Sequence, residues 1–418
     1  MGLIFRRIKD AVADALGLYE LPVGNKRFLA THFNFLLFTT IPGVFINTFF
    51  FRQDGKISTV AIYTAICCFG SAVFMQLSSY ISIRKSPVFV MRVGVVLFNL
   101  FYVVLLLLQN RAVHFMPLLG LLNAFASSFY WQGYNTLMQN LTDSTNLNKT
   151  ISVIGICNAV VSLVIPGLSG FVITRFNGST GYMVIFMCSF VVSLFTTYLT
   201  TRIPYVKHNI KSNLFNTYVK VFRTRSWLLM FLSEFFRGMR DVSFPLFLSI
   251  VYFKLIENEG ILGLNTMVCG LASIIAFYIA GKFIKENNRL KFVLVSSSVV
   301  LILFLILFLR MDATIIFIAS IFNAILTVGI YTPSMSTLFG MFDNLEGDFN
   351  FTQIMAVHEI FLATGRVIGF TVVILLSFSS NMYVYGFLLL NLSAIIAGIL
   401  LKFAIKAHKQ ERQAAVEP

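Results

Sequence analysis

Long apolar runs alternate with short polar connections along almost the whole chain. The runs fall at 27–51, 57–82, 88–108, 113–138, 150–174, 180–202, 227–253, 258–281, 290–310, 313–338, 351–378 and 381–404. Each approaches or exceeds the ~20 residues that a helix needs to cross a bilayer. A backbone in hydrocarbon must satisfy its own hydrogen bonds, so each run is expected as a helix. The alternation of barrel strands is missing from the sequence. The pattern therefore predicts an all-α membrane protein with about twelve transmembrane helices.

A different pattern precedes the first run. Ile4, Phe5, Ile8, Val12, Ala15, Leu16 and Tyr19 recur at helical spacing, with Arg6, Arg7, Lys9, Asp10 and Asp14 on the other face. Residues 1–26 are expected to form an amphipathic helix on the inner membrane surface, anchoring or packing there. No long apolar segment ending in small residues opens the chain, so a cleavable signal peptide is not expected.

The run at 227–253, WLLMFLSEFFRGMRDVSFPLFLSIVYF, stands apart because it carries Glu234, Arg237, Arg240 and Asp241. A charge at mid-membrane costs about 2.5–3.5 kcal/mol on insertion scales, so each must be paired or wetted. Glu234, Arg237 and Asp241 share one helical stripe. That stripe faces a cavity or another helix: either an ion-pair cluster that locks helices together, or a site for a polar substrate or proton.

Composition agrees: 57% of the residues are hydrophobic and 12% charged, with mean hydropathy +0.83. The net charge of +15 does not call for nucleic acid, because Lys and Arg flank the spans. With the N-terminus inside, Arg84, Lys85, Arg202, Lys220, Arg223, Lys282, Arg289, Lys291, Lys402 and Lys406 lie inside. Only Arg52, Lys56, Arg111, Arg175, Lys254 and Arg310 fall outside. By the positive-inside rule this predicts a multi-pass cell-membrane protein with both termini cytoplasmic. The five cysteines lie in apolar runs without metal-ligand spacing, so neither a disulfide framework nor a metal site is expected.

The basic stretch 203–226 divides the runs evenly, giving halves at 27–202 and 227–404 and a tail at 405–418. The halves echo each other. Pro42 and Pro245 take equivalent places, Asn123-Ala124 matches Asn323-Ala324, and Gly170-Phe171 matches Gly369-Phe370. Parallel repeats suggest a transporter with its site between the halves near the midplane.

Two six-helix halves joined by a basic loop resemble the major facilitator superfamily over residues 27–404. Its loop signature after the second helix of each half is best matched from Gly281 through Lys285 to Arg289 and Lys291, with Lys285 where an acid is usual and Asn288 in place of a glycine. The equivalent first-half loop keeps Arg84, with Ser79 and Ile83 replacing the expected Gly and Asp. The resemblance implies gating loops at Arg84, Gly281 and Arg289 and a central cavity. It also implies that the fourth run lines that cavity. Pro166-Gly167-Leu168-Ser169-Gly170 resembles, in reversed order, a motif of exporters in this family; helix packing explains it equally.

Several further side chains are candidates for the site. Tyr130, Gln132, Tyr134 and Asn135 offer hydrogen bonds and Trp131 an aromatic wall, or an interface anchor; Tyr331 lies at the matching place in the other half. Glu359 and Arg366 share a stripe, and Arg366 is read either as the partner of Asp241 or Glu234 or as an anion contact, like Arg237 and Arg240. Glu234, Asp241, Glu359 and His32 are candidate proton carriers, although His32 also suits a packing hydrogen bond. His358-Glu359 lacks the second His of a zinc protease helix, since position 362 is Leu362. No phosphate-binding Gly-rich loop appears, and no nucleophile–base set, so neither an enzyme nor a nucleotide cofactor is expected.

The reading favoured by the sequence is a secondary active transporter, proton-coupled, monomeric, moving an amphipathic or anionic organic molecule, with export the favoured direction. A flippase for a charged lipid or lipid-linked sugar, and a non-transporting membrane sensor, are the alternatives.

Overall fold

A computed structural model describes residues 21–141, 147–176, 178–204, 214–285, 287–309, 312–342, 351–376 and 383–416. The amphipathic segment expected at 1–20 and the middle of the basic stretch, 205–213, lie outside the described residues. Every regular element among the described residues is helical: α1 (Val23–Thr40), α2 (Phe45–Asp54), α3 (Ile57–Arg84), α4 (Pro87–Leu108), α5 (Met116–Leu141), α6 (Leu147–Thr174), α7 (Thr180–Thr200), α8 (Leu214–Arg223), α9 (Arg225–Asp241), α10 (Ser243–Ile256), α11 (Glu259–Phe283), α12 (Arg289–Leu309), α13 (Ala313–Phe342), α14 (Phe351–Leu376) and α15 (Tyr383–Val416). Nine helical stretches among the described residues are long and apolar enough to cross a membrane. One of them, Pro87–Leu141, runs through α4, a tight 3₁₀ segment and α5.

Among the described residues two of the apolar runs are broken rather than continuous. The first splits into α1 and α2, and the seventh into α9 and α10. Proline explains both breaks, because it lacks an N–H and its ring collides with the carbonyl four residues earlier. Pro42 stands in the first break, and the Phe38 carbonyl it cannot serve accepts a hydrogen bond from Tyr102 Oη at 2.9 Å. Such re-satisfaction is required where no water is at hand. Pro245, two residues into α10, ends α9 at Asp241 in the same way. The final helix continues past the apolar run to Val416, and Glu411 on it accepts hydrogen bonds from Ser226 N and Oγ at the start of α9.

Helices touch closely where small residues allow it. α3 packs along α14, and α6 along α11; these pairs join the earlier helices to the later ones. Gly170 lies against the Glu259 carbonyl and Gly263 against the Pro166 carbonyl, so α6 and α11 meet backbone to backbone. The motif 166–170 thus serves helix packing. α9 meets α14 similarly: Gly365 sits on the Phe235 carbonyl and Gly369 on the Met239 carbonyl, where any Cβ would overlap backbone. Small residues drive such approach because burial of apolar surface gives no net gain between helices already in lipid.

This packing makes a test. Gly365→Val is expected to cost about 1–3 kcal/mol by overpacking and to lower the melting temperature in detergent. Gly281→Ala, at a position where a Cβ meets open space, is expected to leave it unchanged. Thermal unfolding followed by size-exclusion chromatography compares the two; equal melting behaviour would remove the close approach as a stability determinant.

Candidate functional site

The break at Pro245 and the glycine contact place two polar faces side by side. α9 presents Glu234, Arg237 and Asp241 on one stripe, and α14 presents His358, Glu359 and Arg366 toward it. Within α9, Arg237 pairs with Glu234 at 2.6 Å and with Asp241 at 3.3 Å. Across the helices, Arg366 pairs with Asp241 at 3.1 Å and with Glu359 of its own helix at 3.4 Å. His358 Nε2 lies 2.9 Å from Glu234 Oε2. A third helix joins through Ser71, which donates to Glu359 Oε1 at 2.9 Å. The chain of pairs thus runs His358–Glu234–Arg237–Asp241–Arg366–Glu359–Ser71 and ties α9, α14 and α3.

The network borders a cavity of about 510 Å³ lined by α3, α5, α9, α13 and α14. Asp241, Glu359 and Arg366 are each about one-fifth exposed there, whereas Glu234 and Arg237 are buried behind them. Two guanidiniums face three carboxylates, so the pairs leave one negative charge over unless a proton is taken up. Arg366 Nε is buried and has no partner among the described residues. A second cavity, of about 500 Å³, lies on the other side of Asp241 and Tyr331 and is lined from α2, α10, α11 and α13.

The remaining candidates divide clearly. Trp131, Asn135 and Tyr331 line the charged cavity, with Tyr331 also carrying the Arg237 guanidinium 5.4 Å from its ring centre. Tyr130 and Gln132 are buried in packing: Tyr130 stacks on Phe35 at 3.4 Å, and Gln132 Nε2 donates to Thr136 at 3.5 Å. His32 shares a 2.9 Å hydrogen bond with Tyr130 Oη and lies 4.4 Å from the Tyr134 ring. It is buried in an aromatic cluster, not among the carboxylates. Arg240 also leaves the network. Its guanidinium donates to Asn391 at 3.1 Å and to Asn323, over the Phe244 ring, and borders neither cavity. Arg84 stacks on Tyr80 at 4.1 Å. Beyond Gly281 the backbone N–H of Lys285 donates to Asn288 Oδ1, and Asn288 Nδ2 to the Phe283 carbonyl, closing that loop just ahead of Arg289. Among the described residues no group of three His, Cys, Asp or Glu converges as metal ligands would.

Early and late helices are tied together near both ends of the bundle. At one end Thr136 meets Thr352 at 3.1 Å and Gln76 Nε2 donates to the Ala356 carbonyl at 2.7 Å. α8 braces this end, with Tyr218 Oη donating to Gln76 and Thr217 Oγ1 to Gln353. At the opposite end Arg52 pairs with Glu259 at 2.5 Å, and Tyr182 Oη donates to Glu259 at 2.7 Å. Sequence reasoning passed over Ser71, Gln76 and the Arg52–Glu259 pair. Nothing in their local pattern marks them, since their partners are distant in sequence.

A comparison with protein families matches the Major Facilitator Superfamily over residues 28–345. The chain belongs to that superfamily. It is a multi-pass membrane transporter of the major facilitator type. It is 26% identical over 335 residues to Uncharacterized protein YqgE of Bacillus subtilis (strain 168), covering 79% of this chain and 77% of that one. It is 22% identical over 153 residues to Uncharacterized protein in sodM 3'region of Geobacillus stearothermophilus, covering 37% of this chain and 72% of that one. Among solved structures it is similar to a D-xylose-proton symporter, with TM-score 0.68, 14% identity and coverage of 90% and 96% of the two chains. A bacterial homologue of the iron transporter ferroportin in its outward-facing state aligns with TM-score 0.67 and 13% identity, over 92% of this chain and 100% of the other. The nucleoside transporter NupG gives TM-score 0.67 and 12% identity over the same shares. At these identities the likeness concerns the fold.

The ion network predicts strong coupling. Asp241→Asn and Arg366→Gln are each expected to destabilise the protein, because removing one partner strands a charge in low dielectric. The double variant should lose less than the sum, with a coupling of about 1 kcal/mol or more by a double-mutant cycle in detergent unfolding. Additive losses would show that the two side chains do not depend on each other.

Proposed function

We propose that the protein is a secondary active transporter working by alternating access, with Arg366 as the switchable contact for an anionic group of an amphipathic organic substrate. The observation that carries this reading is one cavity-facing guanidinium shared between two carboxylates, with an unpartnered Nε. In this reading the halves 27–202 and 227–404 rock about the α3–α14 and α6–α11 pairs. The protein sits in the cell membrane as a monomer with both termini cytoplasmic. No nucleic acid takes part.

The proton follows from charge balance. An anion that takes Arg366 leaves Asp241 and Glu359 without their shared counterion. In a low-dielectric site that is costly unless a carboxylate takes a proton. Anion and proton therefore favour each other's binding and move together. Such a linkage runs inward under an inward proton gradient. The sequence-based expectation of export rested on the motif at 166–170, whose Pro166 and Gly170 pack α6 on α11. We therefore favour uptake. The proton coupling and organic substrate named for the D-xylose symporter are in keeping with this reading.

Opposed cross-links test alternating access without knowing the substrate. Disulfides engineered at Thr136→Cys with Thr352→Cys, and separately at Arg52→Cys with Glu259→Cys, should each lock one end. Cys68, which lines the charged cavity, should then react with a membrane-impermeant thiol reagent only from the unlocked side. Reactivity that ignores the locks would overturn alternating access. The anion site is tested by mass spectrometry of molecules co-purifying with wild type and with Arg366→Ala. An anionic species lost from the variant supports the assignment, and equal recovery makes Arg366 a structural partner. Once that species is known, Glu359→Gln is expected to keep counterflow exchange but lose accumulation driven by an acid-outside gradient in proteoliposomes.

A further inference from the structure

The second cavity is chemically unlike the first. Of its lining side chains among the described residues only Asp241 is charged, and that carboxylate is already held by Arg237 and Arg366. Aliphatic side chains such as Val44, Pro245, Leu246 and Val328 alternate with neutral polar ones on its wall. Two of the polar ones stand out. Asn265 is 5% exposed, and its Nδ2 has no partner among the described residues. Thr327 Oγ1, on the facing helix α13, is likewise buried without one. A buried amide or hydroxyl left unpaired costs far more than the hydrogen bond it would gain, so such groups mark a place where something else completes them.

Three of the other polar side chains bear on the chemistry of that partner. The hydroxyls of Ser249, Thr266 and Ser320 donate to carbonyls of their own helices, at 2.8, 3.0 and 2.8 Å. Their protons are engaged, and their oxygens remain to accept. The cavity therefore presents acceptors on α10, α11 and α13 and unsatisfied donors on Asn265 and Thr327. A hydroxyl complements both, and a carbonyl complements the amide. A second charge would find no counterion here.

We propose that this cavity is a subsite for a neutral body bearing hydroxyl or carbonyl oxygens, carried by the same molecule whose charged group occupies the first cavity. Asp241 and Tyr331 line both cavities and form the boundary that such a ligand spans. Asn265 and Thr327 then select among substrates, while Arg366 holds the charge common to them. The inference rests on the transporter reading above and adds the neutral half of the substrate to it.

Cys269 lines this cavity and Cys68 the other, which allows each to be probed separately. In a full-length variant keeping Cys269 as its one cysteine, three maleimides of equal reactivity are compared. These are N-ethylmaleimide, which is neutral and carries carbonyl oxygens, 3-maleimidopropionate, and 2-(trimethylammonio)ethyl maleimide. N-ethylmaleimide is expected to react saturably and at least about tenfold faster than either charged reagent. Asn265→Leu, and independently the nearly isosteric Thr327→Val, should each slow it by about that factor and abolish saturation. Equal rates for the three reagents, or rates indifferent to both substitutions in protein of unchanged size-exclusion profile, would overturn the subsite. A parallel variant keeping only Cys68 reports on the transporter reading itself. Should Cys68 resist all three reagents from both sides, that reading fails whatever Cys269 shows. Reactive Cys68 beside indifferent Cys269 leaves the transporter standing and removes the subsite alone.

Discussion

A charge inside hydrocarbon has to find its counterion within the protein, and the architecture around α9 and α14 follows from that constraint. Glu234, Arg237, Asp241, Glu359 and Arg366 cannot face lipid. Pairs within each helix meet part of the need, and Gly365 and Gly369 bring α14 onto the backbone of α9, where Arg366 reaches Asp241 and His358 reaches Glu234. A larger residue at either glycine would overlap the α9 backbone and so strain the cross-helix Asp241–Arg366 pair, held at 3.1 Å. Packing and electrostatics are one device here: small residues set the distance, and the ion pairs fix the register.

The helix break refines the same arrangement. Asp241 ends α9, where the helix dipole disfavours a carboxylate, and it is held by two guanidiniums instead. The end of a broken helix is also where a side chain reaches a cavity rather than a neighbouring turn. Arg240, one residue earlier, suits the dipole but points to the opposite side. There the side-chain oxygens of Asn323 and Asn391 take the place of water around its charge. Two arginines three positions apart thus have different tasks. Arg237 neutralises acids, and Arg240 crosslinks α9 to α13 and α15.

The ties between early and late helices differ in character at the two ends of the bundle. One is built from neutral hydrogen bonds among Gln76, Thr136, Thr352 and the braced helix α8; the other centres on the Arg52–Glu259 ion pair. Arg52 is nearly half exposed, so its pair is accessible to solvent and salt, whereas the neutral tie is not governed by screening.

Much of this was legible from the chain alone. The run lengths follow from the thickness of a bilayer, and a helix is the only way an isolated run can satisfy its backbone. Hence the all-helical membrane fold, and the stripe of Glu234, Arg237 and Asp241, could be read directly. Arg366 as partner of Asp241 was one of two readings the sequence held open. What tertiary structure decided is which face each helix turns to its neighbours. Periodicity places Tyr130, Gln132 and His32 beside Trp131 and Asn135 without saying that the first three pack inside and the last two line the cavity. Nor could it send Arg240 to Asn323 and Asn391, more than 80 residues away. Nearly every side of such a helix is apolar, so hydropathy carries no record of rotation about the axis. Only the close contacts between helices fix that angle, and with it the membership of the site.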